Sequence, residues 1–406
     1  MFQAGFKWIK IIYSRALNSI AFLPAIIALF FLIVSFLMLQ LDFSGTGKNI
    51  KISLDWLSLK DANTARSIIS SVVSGIISLT VFSFTMVMIL LNQAASQMSN
   101  RVLDQLIGNR FQQFVLGFYI GTIVYALFLL SAIRDVDSGI YVPAISTYLL
   151  IALTVTDIFI FIYFLHYITQ TIKYDTIIHR IYDDTLSEMK KNCNCENQQE
   201  EVPTTEEGIY VKAFKSGIYQ GFDPEPLLNI CKEENITITF LFPVTTYLLE
   251  NTPFCIISGK KELDEEFMKK LQAVINIHLG QEINISYHYG FHKLMEIAMK
   301  ALSPGINDPG TAVISLRSMV DLLLYRLNAR PETIVKDETG EIRIISKEKD
   351  FDRMIREFIY PIWHYGKNDP LLQREMHQLL NQLKSCSDKL EVNKLSSLVS
   401  ATVNGY

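Results

Sequence analysis

An acidic residue in the middle of a long apolar run is the first candidate for chemistry. Asp157 interrupts the segment TYLLIALTVTDIFIFIYFL, residues 147–165. An ionised carboxylate in hydrocarbon costs roughly 2.5–3.5 kcal/mol, so it must face a bundle interior, face water or stay protonated. Two interpretations stay open. Either Asp157 handles protons or cations, or it is a protonated acid hydrogen-bonded to a serine or threonine of a neighbouring helix.

His166 follows Asp157 near the end of the same apolar run. The two residues are about 13 Å apart along a helix, so their side chains cannot touch. His166 is therefore either a residue of the membrane interface or a partner in proton movement.

A second candidate is a stripe of hydroxyl residues at helical spacing. Four serines step by four, three and four residues, which places them on one helix face, and the stripe continues through a threonine and an asparagine. Its members are Ser67, Ser71, Ser74, Ser78, Thr85 and Asn92. Such a stripe either packs closely against another helix or lines a pore, with the apolar turns between as a dewetting constriction.

The C-terminal half carries two further candidates. His288, His292 and Glu296 stand four residues apart and could share a helix face; this spacing suits either a metal site or a polar face, and we assign no metal. The run ALSPGINDP predicts a rigid corner between two helices, with an anion or ligand site at the second helix as the alternative. Its polar and turn residues are Ser303, Pro304, Gly305, Asn307, Asp308 and Pro309.

Four apolar segments are long enough to cross a bilayer, which needs about twenty residues in a helix. They run from about 20 to 41, 67 to 91, 112 to 133 and 141 to 168. The third contains Gly117 and Gly121, a spacing that lets two helix backbones approach closely. The sequence therefore predicts a transmembrane domain over residues 1–172, a membrane all-α bundle of four helices.

Charge and cysteine content indicate where the rest lies. Lys and Arg number seven on the side of the N-terminus and five on the other, which favours cytoplasmic termini. The seven are Lys7, Lys10, Arg15, Arg101, Arg110, Lys173 and Arg180, and the five are Lys48, Lys51, Lys60, Arg66 and Arg134. The five cysteines all fall after residue 192, in a number and spacing that argue against a disulfide framework. We expect a multi-pass membrane protein with both termini in the cytoplasm.

The remaining residues predict a helical extension and linker over 173–207, then a soluble α+β cytoplasmic domain over 208–406. We expect a strand pair in 209–222, a pair of β segments in 236–242 and 247–258, and a hairpin joining 333–335 to 342–346. Helices are expected over 224–234, 264–279, 290–302 and 308–327 and over most of the chain beyond 346. A net charge of −4 gives no electrostatic attraction to nucleic acid.

The ALSPGINDP run, Met295–Lys300 before it and Leu91–Gln97 resemble a bacterial family of predicted membrane proteins known as domain of unknown function 2254. Residues 216–220 and 164–168 fit the same family more loosely. The resemblance implies a multi-pass protein of a bacterial inner membrane and supplies no activity.

Three functions are consistent with these features. The first is a homo-oligomeric ion channel or transporter in which the second span lines the pathway and the soluble half regulates it. The second is a membrane-anchored sensor or scaffold that binds a small ligand. The third is a membrane enzyme, for which the sequence offers no recognisable nucleophile, base or metal set and no cofactor motif. The expected partners are the lipid bilayer, further copies of the chain and a small ion or ligand.

Overall fold

A computed structural model describes residues 21–53, 61–97, 110–133, 142–171, 173–194, 207–279, 283, 286–386 and 389–403. The chain divides into two compact units: 1–96 with 100–173, and 174–406 with 97–99. Six of the charged residues used to predict orientation lie outside the described residues, namely Lys7, Lys10, Arg15, Lys60, Arg101 and Arg134.

The first unit is built from apolar helices. Four are long and apolar enough to cross a membrane: α1 (Phe22–Phe43), α3 (Ala62–Gln97), α4 (Arg110–Ala132) and α5 (Ala144–Thr171). A short polar helix, α2 (Gly45–Ser53), follows α1. The helix α3 begins earlier and ends later than the predicted span, because the carboxylate of Asp61 accepts hydrogen bonds from Asn63 and Thr64 and starts the helix there.

Packing inside this unit is uneven. In the most apolar stretch of α4, 44% of the residues are buried, whereas in that of α3 only 11% are. The helix α4 therefore lies at the centre of the bundle and α3 at its edge. Close contact between α1 and α4 passes through two glycines, because a Cβ on Gly117 would lie 2.7 Å from Ile27 and one on Gly121 would lie 2.8 Å from Phe31.

The second unit mixes helices and sheets. Its helices are α6 (Tyr174–Asn192), α7 (Pro224–Glu233), α8 (Glu265–Val274), α9 (His288–Ala301), α10 (Pro309–Asn328), α11 (Phe351–Met354), α12 (Tyr360–Gly366), α13 (Pro370–Cys386) and α14 (Leu390–Val403). Its strands are β1 (Cys193–Asn194), β2 (Ile209–Lys212), β3 (Gly217–Phe222), β4 (Thr237–Pro243), β5 (Tyr247–Leu248), β6 (Pro253–Ser258), β7 (Ile275–His278), β8 (Arg330–Pro331), β9 (Ile334–Lys336) and β10 (Ile342–Lys347).

The strands form three sheets. A five-stranded sheet has the order β2-β6-β4-β10-β9, in which β4 and β10 are parallel and the other neighbours antiparallel. A three-stranded sheet has the order β5-β3-β7, and β1 pairs with β8. Aromatic side chains such as Tyr219, Phe240 and Phe254 fill the core beside the sheets.

Two sequence predictions for this unit are wrong in detail. Strands β2 and β3 belong to different sheets and do not pair with each other. The predicted helix over 264–279 ends at Val274, and the next four residues form β7, which pairs with β3. The predicted hairpin of β9 and β10 is present, with Ile345 opposite Ile334.

A π-helical segment, Ile355–Ile359, joins α11 to α12. Its last bond runs from the N–H of Tyr360 to the carbonyl oxygen of Ile355. Pro361 has no N–H to donate and its ring disfavours a regular turn, which explains the wider geometry. The segment places Glu357 and Phe358 against α9.

Candidate functional site

The hydroxyl stripe lies on the outer face of the bundle. Ser67, Ser71, Ser74 and Ser78 are all exposed on α3. Buried residues of the same helix are Ala65, Ile69, Ile76 and Ser83. Ser67 is nine residues from Ile76, Ser74 is nine from both Ala65 and Ser83, and Ser78 is nine from Ile69. Nine residues correspond to about 180° around a helix, so the stripe is opposite the packing face.

The rest of the stripe follows the same face. Thr85 and Asn92 are exposed as well. The hydroxyls of Ser78 and Thr85 donate to carbonyl oxygens one turn earlier in α3, at 2.9 and 2.8 Å. Apolar side chains between the hydroxyls, such as Phe82 and Ile89, are also more than half exposed. Within the described part of one chain, the stripe therefore does not pack against another helix.

Asp157 lies inside the bundle instead. Its carboxylate is fully buried, and neither of its oxygens has a hydrogen-bond partner among the described residues. Thr122 of α4 lies beside it, and Tyr119 of the same helix is also close. Tyr119 lies beside Ser83 of α3, so side chains from three helices surround one buried point. The structure thus separates Asp157 from the outward serines.

His166 stands apart from this group. It is exposed near the end of α5, and its backbone oxygen accepts a hydrogen bond from the Thr169 hydroxyl at 2.8 Å. The separation along α5 keeps it away from Asp157, as the spacing predicts.

Asp42 is a buried acidic residue that the sequence did not mark as a candidate. It is fully buried at the end of α1, where its carboxylate accepts hydrogen bonds from the backbone N–H groups of Ile145 and Ser146, at 3.2 and 2.8 Å, and from the Ser146 hydroxyl at 2.5 Å. Lys51 of α2 pairs with it at 2.7 Å. The carboxylate therefore caps α5 and fixes α1, α2 and α5 together. Its position at the end of an apolar run was visible, but its partners about 100 residues away were not.

The ALSPGINDP run forms a corner between α9 and α10. Asn307 adopts a left-handed conformation, with φ of 52°, and the carboxylate of Asp308 accepts hydrogen bonds from the N–H and hydroxyl of Thr311 at 3.1 and 2.6 Å. Pro309 is the first residue of α10, and Ser303 donates to the Lys300 carbonyl at 2.6 Å. Pro304 and Gly305 are exposed at the tip. Because Asp308 already fills the helix N-terminus, that position does not attract an anion.

The two histidines of α9 bind different carboxylates. His288 Nε2 lies 3.1 Å from Glu348, and His292 Nε2 lies 3.3 Å from Glu357. Glu296 follows one turn later on α9 and is half-buried. Among the residues that the structure describes, no group of three or more His, Cys, Asp or Glu side chains is arranged to hold a metal ion.

These pairs belong to a network of buried and half-buried charges. Glu348 also accepts a hydrogen bond from the Tyr287 hydroxyl at 3.1 Å, and Arg326 Nε donates to that hydroxyl at 3.3 Å. Lys349, which is 3% exposed, lies 2.6 Å from Glu357. The network could not be predicted from the sequence, because its members come from segments up to about 70 residues apart.

Contacts within the network shift the pKa values of its members. Burial lowers the pKa of His288, so its ring is neutral at pH 7. Burial acts to raise the pKa of Glu348, but the hydrogen bond from His288 and the charge of Arg326 outweigh it and the pKa is lowered. Glu348 and Glu357 therefore both stay ionised near Arg326 and Lys349, so two negative charges balance two positive charges within this network.

Curated relatives of the chain are uncharacterised. One is an uncharacterised protein of Mycobacterium tuberculosis strain H37Rv and another is an uncharacterised protein of Mycobacterium bovis strain AF2122/97. Each is 24% identical over 337 residues, which cover 80% of this chain and 64% of the relative. The match thus leaves more than a third of those longer proteins without a counterpart here. No solved structure matches the chain.

The family comparison is more extensive. The family described as "Predicted membrane protein (DUF2254)" matches residues 17–382, which include all four long apolar helices and the ALSPGINDP corner. This confirms the resemblance recognised from the sequence. The chain belongs to the DUF2254 family of predicted membrane proteins.

Proposed function

We propose that this membrane protein is a homo-oligomeric channel for small ions, in which the serine face of α3 lines the pathway and the second unit regulates it. The observation that carries the proposal is the position of the stripe. Ser67, Ser71, Ser74 and Ser78 lie opposite the face by which α3 packs in its own bundle. A row of hydroxyls through an apolar layer needs a polar or closely packed neighbour, which a second copy supplies.

The edge position of α3 supports this assembly. Only 11% of the residues in the most apolar stretch of α3 are buried, and its exposed residues are available to other copies. When several copies place this face at a common axis, hydroxyls line one part of the path. Val81, Phe82, Met88 and Ile89, all at least half exposed, would narrow the next part. An apolar ring of this kind closes a pore to ions by excluding water.

The test is ion flux into liposomes that contain the purified chain. Ser78→Leu fills the stripe with a bulky apolar side chain, and we expect it to reduce the flux at least tenfold. Its matched control is Thr156→Leu on α5, where the hydroxyl is likewise exposed and donates to a carbonyl oxygen one turn earlier at 2.9 Å. We expect the control to conduct as the unmodified chain does.

Two results contradict the proposal. One is an absence of flux of Na⁺, K⁺, Cl⁻ and protons from the unmodified chain over a range of pH. The other is equal flux in Ser78→Leu and Thr156→Leu. If copies still associate through α3 without any flux, the stripe is a packing surface, and the sensor or scaffold function takes the place of the channel.

A further inference from the structure

Four buried polar side chains surround one point inside the helix bundle. They are Ser83 of α3, Tyr119 and Thr122 of α4, and Asp157 of α5, and each is 0% exposed. The Ser83 hydroxyl, the Tyr119 hydroxyl and both carboxylate oxygens make no hydrogen bond to any described residue. Buried polar groups in native proteins are nearly always bonded, and an unbonded group commonly marks a water or an ion.

Apolar layers enclose the group on both sides along the helices. One cluster contains Tyr125 and Leu150, with Leu153 packed against it, and the other contains Tyr119 and Phe164, with Ile160 packed against it. Thr122 falls between Tyr119 and Tyr125, and Asp157 falls between Leu153 and Ile160. The polar group therefore lies within the apolar part of the bundle, where an unpaired charge is most costly.

The neighbouring side chains leave these oxygens without a hydrogen bond of good geometry. Tyr119 is next to Ser83 and near Asp157, and Thr122 is next to Asp157, yet the unbonded oxygens remain unbonded. Oxygens that share one hard cation at 2.3–2.6 Å stand about 3.4 Å apart, which is wider than a hydrogen bond. The Thr122 hydroxyl donates its proton to the Phe118 carbonyl at 3.1 Å, which leaves its lone pairs for another ligand.

We infer that Ser83, Tyr119, Thr122 and Asp157 form a binding site for a monovalent alkali-metal cation inside each protomer. The two carboxylate oxygens and three hydroxyls supply five oxygen donors, the ligand type that hard cations prefer. One carboxylate neutralises one positive charge, whereas a divalent ion would leave a net charge in the apolar layer. This site is separate from the outward face of α3 and does not depend on the proposed channel.

The cation competes with a proton for the same carboxylate. A protonated Asp157 releases H⁺ when the cation binds, and it takes up one proton when the cation leaves, so charge balances in each direction. Cation affinity therefore falls as pH falls, by up to tenfold for each pH unit below the pKa of the carboxyl group.

The test uses the purified full-length chain in lipid nanodiscs, with thermal stability as the measurement. Sodium, potassium or lithium chloride is compared with choline chloride at equal ionic strength, at pH 8 and at pH 5. We expect one of the alkali-metal ions to raise Tm at pH 8 in a saturable way and to do so less at pH 5. Binding of radioactive ²²Na⁺ or ⁸⁶Rb⁺ measures the affinity directly.

Variants locate the site. Asp157→Asn keeps the shape and removes the charge, and we expect it to lose the ion-dependent rise in Tm. Thr122→Val removes one donor and should weaken binding by about tenfold, as the loss of one contact to a charged group does. Thr154→Val is the matched control on α5, because its hydroxyl already donates to Leu150 at 2.8 Å. We expect the control to bind as the unmodified chain does.

Misfolding is separated from loss of the site by the choline measurement. Asp157→Asn removes a buried acid, so in choline it should melt at the temperature of the unmodified chain or above it, while no longer responding to alkali ions. The inference is overturned if no alkali ion raises Tm or binds at either pH, or if Asp157→Asn responds as the unmodified chain does. Stability that changes with pH alone, without any dependence on alkali ions, indicates a proton site and also overturns it.

Discussion

Replacement of Lys349 by methionine tests the buried charge network of the second unit. The Lys349 ammonium lies 2.6 Å from Glu357 and 5.5 Å from the centre of the Phe358 ring. Methionine fills a similar volume without the charge, so Lys349→Met removes the ion pair while keeping most of the packing. Among the residues that the structure describes, Glu357 then keeps His292, at 3.3 Å, and the more distant Arg353, at 3.9 Å.

The pKa of Glu357 sets the size of the effect. Burial acts to raise it, but the bonds from His292 and Lys349 outweigh burial and bring it from 4.5 to about 2. That difference corresponds to about 3 kcal/mol of stability at neutral pH. Because the side chain is 27% exposed and His292 remains, we expect Lys349→Met to lower the free energy of unfolding by about 2 kcal/mol at pH 7.

The sign of the pH dependence follows from the lowered pKa. A carboxyl group with a lowered pKa stabilises the folded state above pH 4.5, and this contribution is lost as pH falls towards 2. The difference between Lys349→Met and the unmodified chain should therefore be constant from pH 7 to about 5 and shrink towards pH 3.

Urea unfolding in detergent, followed by tryptophan fluorescence, measures this difference. Trp8→Phe and Trp56→Phe leave Trp363, which is buried in the second unit, as the reporter. Lys347→Met replaces an exposed neighbouring lysine and should change stability by less than about 0.5 kcal/mol. An effect of Lys349→Met no larger than this control, or one unchanged between pH 5 and pH 3, refutes the reasoning.

Three further substitutions test helix packing and capping, each by thermal unfolding. Gly290→Ala should cost about 1–3 kcal/mol, because its Cβ would overlap the Thr185 hydroxyl oxygen; an unchanged Tm contradicts this contact between α9 and α6. Gly121→Ala should lower Tm, whereas Gly75→Ala, whose Cβ meets no atom within 4 Å, should leave it unchanged; equal effects would count against the α1–α4 contact. Asp308→Ala should cost about 1 kcal/mol by removing the N-cap of α10, and Asp308→Asn should restore most of it.

The membrane helices were predictable because lipid demands long apolar runs with internally bonded backbones. The ends of these helices were less predictable. The helix α3 extends well beyond its apolar run, since the capping side chain of Asp61 lies in polar sequence before it. The period of the serines predicted a single face, but only the packing of Ile69 and Ile76 shows that this face is outward.

The second unit was predictable where the signals are local, as at Asp308 and Pro309, which start α10. It was not predictable where pairing between residues distant in the sequence decides the structure. Ile275 and Ile277 continue the apolar pattern of α8, yet they form a strand because β3 offers them hydrogen-bonding partners. His288 and Glu348 are 60 residues apart, so their pairing has no signature in one sequence. The neighbours of Asp157 are hidden from the sequence for the same reason.

Water access to Ser74 tests the proposed channel most directly. Ser74→Cys places a thiol in the middle of the exposed serine face, and Thr156→Cys places one at a comparable depth on α5. The proposal predicts that a membrane-impermeant, charged thiol reagent reacts with Ser74→Cys in liposomes and blocks its ion flux, beyond any effect on the unmodified chain with its native cysteines. It predicts no such reaction at Thr156→Cys. If the thiol of Ser74→Cys does not react, or reacts without changing the flux, the serine face does not line an ion pathway.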